Sequence, residues 1–202
     1  YRTKRLVLGA IGFVAILLIA GYFYEESELN RIARDVKPTG RIVDLDGRGL
    51  HLHAEGEGST TVILNAGAAG SSLDWALVAP QVAQFARVVA FDREGLGWSE
   101  SSTAPPTARN VVDDLRMALQ KEEIEGPYIL VGHSLGGLHS RMHFYMYPEE
   151  VAGLVLVDPA HENEAERLPA EGLAKVEEGI SMLSTAAMLS RVGVTRMIMN
   201  AQ

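Results

Sequence analysis

The 202 residues include no cysteine, which excludes disulfides, thiolate metal sites and a cysteine nucleophile. Basic side chains are in the minority, 18 Lys and Arg against 26 Asp and Glu. The resulting net charge of −8 argues against nucleic acid as a partner, because that requires a basic footprint. Internal repeats and low-complexity tracts are absent. Hydrophobic residues at 47% and charged residues at 22% are near globular averages, so disorder does not organise the chain. The length suits one domain with an appendage. The chain opens on Tyr1 rather than Met and closes on Gln202 in helix-like sequence; the expectation is a piece of a longer protein.

Leu6 to Tyr24 reads LVLGAIGFVAILLIAGYFY, 19 residues without a charge. About 20 apolar residues cross a bilayer core. Arg2, Lys4 and Arg5 precede the run, and Glu25, Glu26 and Glu28 follow it. This asymmetry predicts a single membrane span with the N-terminus in the cytoplasm and the remainder outside it. The alternative is a signal peptide, cleaved to give a secreted protein. Against it, the apolar run exceeds the usual ~7–15 residues and no A-x-A site follows. Without its three basic residues the remainder carries a net charge of −11.

Beyond the span, residues 25–40 read as a linker. Arg41–Leu45 and Leu50–His53 read as strands around an Asp46-Gly47 turn, a strong hairpin signal. Thr61–Leu64, Arg87–Phe91, Tyr128–Val131 and Leu154–Val157 are short runs rich in β-branched residues. They suit strands buried on both faces of a parallel sheet. Helical spacing separates them over 75–86, 108–121 and 138–147, predicting an α/β fold with right-handed crossovers. The buried runs end in Asn65, Asp92, Gly132 and Asp158, at the strand ends where α/β sheets place their functional crevice.

The strand at 128–131 leads into Gly132-His133-Ser134-Leu135-Gly136-Gly137. A G-x-S-x-G segment between strand and helix is the context of a nucleophile elbow, a turn so tight that the serine is strained and its hydroxyl projects outward. The helix start behind it favours developing negative charge. An ordinary turn with a capping serine is the alternative. His51 and His53 fall on one face of the early strand and read as surface residues. His139 and His143 have a metal-compatible i, i+4 spacing, but no third ligand is evident, so they read as core or solvated histidines. No metal and no organic cofactor is expected.

Taken together, these segments resemble the α/β-hydrolase fold superfamily over residues 40–160. The resemblance is carried by strand 61–64 with Asn65-Ala66-Gly67-Ala68 and Gly70–Trp75, by Asp92-Arg93-Glu94-Gly95-Leu96-Gly97-Trp98-Ser99, by the elbow, and by GLVLVDP over 153–159. It implies a mostly parallel sheet flanked by helices, here preceded by one transmembrane helix and without the family's strands seven and eight. It divides the chain into an anchor or signal segment (1–24), a linker (25–40), a hydrolase core (41–161) and the start of a helical cap (162–202).

The resemblance further implies that Ser134 is the nucleophile and that the N–H groups of Leu135 and Ala68 hold the oxyanion. The family's His-Gly pair aligns with Ala66-Gly67, so the histidine that braces this loop is replaced by alanine. Asp92 and Arg93 are expected to shape their turn rather than to act in catalysis. The triad order in this fold is serine, acid, histidine. Asp158 is a candidate acid, or else a structural aspartate of the Pro159 turn. His161 is the candidate base within the chain, although both partners are expected beyond residue 202.

The implied activity is hydrolysis of an ester or related acyl compound through an acyl-enzyme. A catalytically incomplete, membrane-tethered binding protein is the alternative. Met182, Leu183, Met188, Leu189, Met197, Ile198 and Met199 suggest an apolar small-molecule substrate, or simply cap packing.

Overall fold

In the computed structural model, residues 2–200 are described; Tyr1, Ala201 and Gln202, at the outer ends of the expected anchor and cap, lie outside them. The chain divides into two compact units. One is residues 38–164, and the other joins the N-terminal helix to the helices after 164.

The first unit is a six-stranded sheet. β1 (Arg41–Asp44), β2 (Gly49–Glu55), β3 (Thr61–Asn65), β4 (Arg87–Phe91), β5 (Tyr128–His133) and β6 (Val151–Val157) stand in the order β1-β2-β4-β3-β5-β6. The pairs β1–β2 and β2–β4 are antiparallel, and the other three are parallel. Period-two alternation sends Ile63, Val89 and Leu130 to one face and Val62, Leu64, Val88 and Ala90 to the other. Both faces are covered, so β3 is buried at all five positions. Among the described residues β6 lies at one margin of the sheet, and Val155, Leu156 and Val157 on it are exposed.

α3 (Ala108–Lys121) occupies the predicted span. Its Thr107 cap accepts a hydrogen bond from Asn110 N–H, and Val111, Val112, Leu115, Ala118 and Leu119 form its buried stripe. Two helices differ from expectation. Residues 75–86 do not form one helix: a 3₁₀ turn at Ser72–Trp75 precedes the short α2 (Ala79–Val82), since Pro80 suits only a helix's first turn. α4 (Leu135–Met146) begins three residues before the predicted start at Leu138, directly after Ser134.

In the second unit, α1 (Arg2–Asp35) carries an apolar stretch, Gly9–Ile32, long enough to cross a membrane. Residues 25–35, read as linker from their charges, continue this helix, and Arg31 pairs with Glu28 and Asp35 along it. The short α5 (Glu164–Arg167) leads to α6 (Ala170–Ser190) and α7 (Val194–Asn200). Arg196 of α7 forms a two-pronged ion pair with Glu25 of α1, at 2.7 and 2.8 Å.

Candidate active site

Ser134 links β5 to α4 with φ 51° and ψ −120°, a strained conformation for a residue with a Cβ. The surroundings hold it there. Ser134 N–H donates to Val157 O at 3.1 Å, while Ser134 O accepts from Gly137 and Ala160 N–H at 2.9 Å each. The flanking glycines are sterically required: a Cβ on Gly132 would lie 2.5 Å from Gly136 O, and one on Gly136 would overlap Asn65 O. The serine hydroxyl makes no capping hydrogen bond to α4, which removes the reading of Ser134 as an ordinary helix cap.

The loop after β3 lies against this elbow. A Cβ added to Gly67 would stand 3.4 Å from Ser134 Cβ and 3.0 Å from His133 Nδ1. Gly70 N–H closes the turn onto Gly67 O at 3.1 Å, leaving the N–H of Ala68, an exposed residue, outside that bond. Leu135 is the first residue of α4, so its N–H is among the donors a helix leaves without an internal acceptor. Both expected oxyanion donors therefore come from backbone that borders Ser134.

Asp92 and Arg93, at the end of β4, hold this loop system from beneath. Asp92 is fully buried and accepts from Ser72 N–H (2.6 Å), Trp98 N–H (3.0 Å) and His51 Nδ1 (2.9 Å). Burial alone would raise its carboxyl pKa, but these donors outweigh it and hold the carboxyl below its usual range. His51 is thus a core residue, not a surface one. β2 lies between β1 and β4 and has buried positions on both faces, so alternation along it does not predict exposure. His53 stays partly exposed, within reach of Thr39 O.

Arg93 is 7% exposed, and donates from Nη1 to Ala66 O at 2.6 Å and from Nη2 to Gly67 O at 2.5 Å. Burial pushes its pKa down, and the nearby Asp74 and Asp92 carboxylates oppose that push. An arginine remains charged in any case. This guanidinium supplies the brace that Ala66 cannot. The sequence places Arg93 just past an expected strand, but neither its burial nor its carbonyl acceptors can be read there.

The remaining candidates fall in three places. Ala160 N–H ties the segment after β6 to the elbow, but Asp158 is exposed, with φ 42°, and no hydrogen bond joins it to His161 among the described residues. His161 Nδ1 accepts from Asn163 N–H at 3.0 Å, which puts the proton of the neutral ring on Nε2. A triad base needs the opposite tautomer. His139 and His143 are buried on α4. His139 has its pKa lowered to about 4 by burial and by the charge of Arg93. His143 meets Glu150 at 3.2 Å, at the other end of the helix.

Residues 60–181 match the family model described as alpha/beta hydrolase fold. The uncharacterized protein YbdG of Bacillus subtilis is 25% identical over 206 residues, which is 100% of this chain and 61% of YbdG. The 2-hydroxymuconate semialdehyde hydrolase of a Pseudomonas species is 34% identical over 124 residues, 60% of this chain and 44% of that enzyme. A mutant of the meta-cleavage product hydrolase CumD superposes with a TM-score of 0.54 at 29% identity, covering 59% of this chain and 45% of its own. The chain spans about three-fifths of YbdG and under half of the other two.

Proposed function

The chain belongs to the alpha/beta hydrolase fold family, and on that footing we propose that it hydrolyses an ester or related acyl compound, with Ser134 as nucleophile. The observation that carries this reading is the strained, uncapped Ser134 at the start of α4, with the Gly67 loop packed on it.

Ser134 Oγ bonds to the acyl carbon as its proton passes to a histidine base. The carbonyl electron pair moves onto oxygen, and the Leu135 and Ala68 N–H groups hold the resulting anion. Collapse of that intermediate expels the alcohol, which takes the proton from the histidine. Water then attacks the acyl-enzyme by the same route and frees the acid. No step calls for a metal or organic cofactor. His161 has the unsuitable tautomer and Asp158 orients no imidazole, so the proposal assigns base and acid to residues outside those described. That assignment accords with the share of the relatives' length that the chain spans.

The apolar stretch of α1 is proposed as an anchor, with its basic flank in the cytoplasm and the hydrolase unit outside it. Met182, Leu183, Met188, Met197, Ile198 and Met199, exposed on α6 and α7, support an apolar acyl group. The test is labelling of the full-length protein by a fluorophosphonate. Labelling at Ser134, lost in Ser134→Ala, is the expected result, with ester turnover lost in parallel. Absence of both from a folded protein would instead support a membrane-tethered binding protein that keeps the pocket without the chemistry.

A further inference from the structure

We infer that Arg93 is a positioning residue that sets the oxyanion hole by fixing the plane of the Gly67–Ala68 peptide. The inference rests on the serine-hydrolase reading for its effect on rate, but its geometry is independent of that reading.

A trans peptide is planar, with its C=O and N–H pointing in opposite directions. Gly126–Pro127 is the one cis bond among the described residues, so Gly67–Ala68 is trans. Whatever grips Gly67 O therefore aims Ala68 N–H the other way. Arg93 grips that oxygen from the buried side, and the same guanidinium takes Ala66 O one residue earlier. Two adjacent carbonyls are thus drawn toward the interior, and the Ala68 N–H is turned to the side on which Ala68 is exposed.

Glycine 67 makes such a grip necessary. A residue without a Cβ has little steric preference of its own, and Ala69, two residues on, already sits at φ 55°. Among the described residues, the other hydrogen bond that holds this peptide is Gly70 N–H to Gly67 O, at 3.1 Å. A guanidinium can bridge two carbonyls because its donors form a rigid planar fork, whereas an ammonium is a point charge. The planar fork thus does what the charge alone cannot.

The experiment compares full-length wild type, Arg93→Lys and Arg93→Gln by two measurements. The first is amide hydrogen exchange in peptides covering residues 65–71. The second is the rate of fluorophosphonate labelling, with kcat and KM for an ester. Exchange in that loop is expected to quicken in Arg93→Lys while exchange in β3 and α4 stays unchanged. Labelling and kcat should fall ~10–100-fold, a little less than for outright loss of an oxyanion donor, with KM nearly constant. A residue that merely supports the fold would instead raise exchange throughout the sheet and leave kcat per folded molecule unchanged. Arg93→Lys keeps the buried charge, so it remains informative if Arg93→Gln does not fold. Unaltered loop exchange in Arg93→Lys overturns the inference. If wild type is never labelled, the serine reading fails while the exchange comparison still decides the role of Arg93.

Discussion

Arg93 and Arg116 are drawn in at opposite ends of the sheet in the hydrolase unit. At the amino end, Arg116 of α3 meets Glu150 just before β6, with contacts of 2.5 to 3.1 Å, and its guanidinium lies 3.5 Å over the Tyr147 ring. His143 joins the same carboxylate and Tyr147 reaches Asp113. Side chain answers side chain, and the cluster pins α3, α4 and the start of β6 together. At the carboxyl end, Arg93 answers two backbone carbonyls, Asp92 answers two backbone N–H groups besides His51, and the serine hydroxyl beside them caps nothing. Similar side chains thus serve two purposes. One end closes its polar groups on themselves, and the other shapes the main chain around a hydroxyl kept available. α4 runs between the two, from Ser134 to His143.

Three experiments would break or sharpen this contrast. The largest effect is expected from Gly136→Ala, because the new Cβ would overlap Asn65 O. The elbow and the end of β3 cannot both keep their places, and a loss of about 3 kcal/mol or more is expected. Denaturant unfolding measures it, and stability within 1 kcal/mol of wild type would show that the carboxyl end is less tightly built than described.

Next comes pH. Buried beside Arg93, His139 has its pKa lowered from 6.5 to about 4. The unfolded chain takes up this proton near pH 6.5, while the folded protein refuses it until about 4. The associated stability is therefore complete above pH 6.5 and is lost as pH falls to about 4. At ~1.4 kcal/mol per pH unit this reaches about 3 kcal/mol. His139→Gln should flatten this limb, and an unchanged slope between pH 6.5 and 4 would refute the assignment.

The smallest effect is expected from Glu150→Gln. Arg116 and Glu150 keep 23% and 26% side-chain exposure, so solvent softens the loss, and about 1–2 kcal/mol is expected. Labelling of Ser134 should be unaffected, since the cluster lies at the opposite end of the sheet. A fall in labelling rate larger than the fall in folded fraction would show that the two ends are coupled through α4.

Much of this architecture could be read in the residues, and the exceptions have physical causes. The four apolar runs became β3 to β6. β3 and β4 are buried, as such uniform strands in a sheet covered on both faces should be, whereas β6, with one strand neighbour among the described residues, has no buried position. α3 was legible to the residue from its helical spacing over 108–121. α4 was not, since Leu135-Gly136-Gly137 reads as a turn; its glycines are there for close approach to Gly132 and Asn65, which spacing does not reveal. The charges after Tyr24 suggested a linker, yet they pair along a continuing helix. His51 was read as a surface residue because its partner, Asp92, lies 41 positions away, just past another strand. Ser134 and its elbow were legible from one hexapeptide. The brace at Arg93 was not, because its acceptors are carbonyl groups, which every residue has.

The last strand of the described sheet has a consequence for anyone handling residues 1–202 alone. β6 offers one hydrogen-bonding edge to solvent, and Val155, Leu156 and Val157 along it are exposed at 48%, 39% and 44%. An open ladder bearing branched apolar side chains is a template for another strand. Concentrated samples of residues 1–202 alone are therefore expected to self-associate through this edge, separately from any clustering of α1. Detergent, which shields an apolar helix, does not satisfy the row of amide and carbonyl groups beside it.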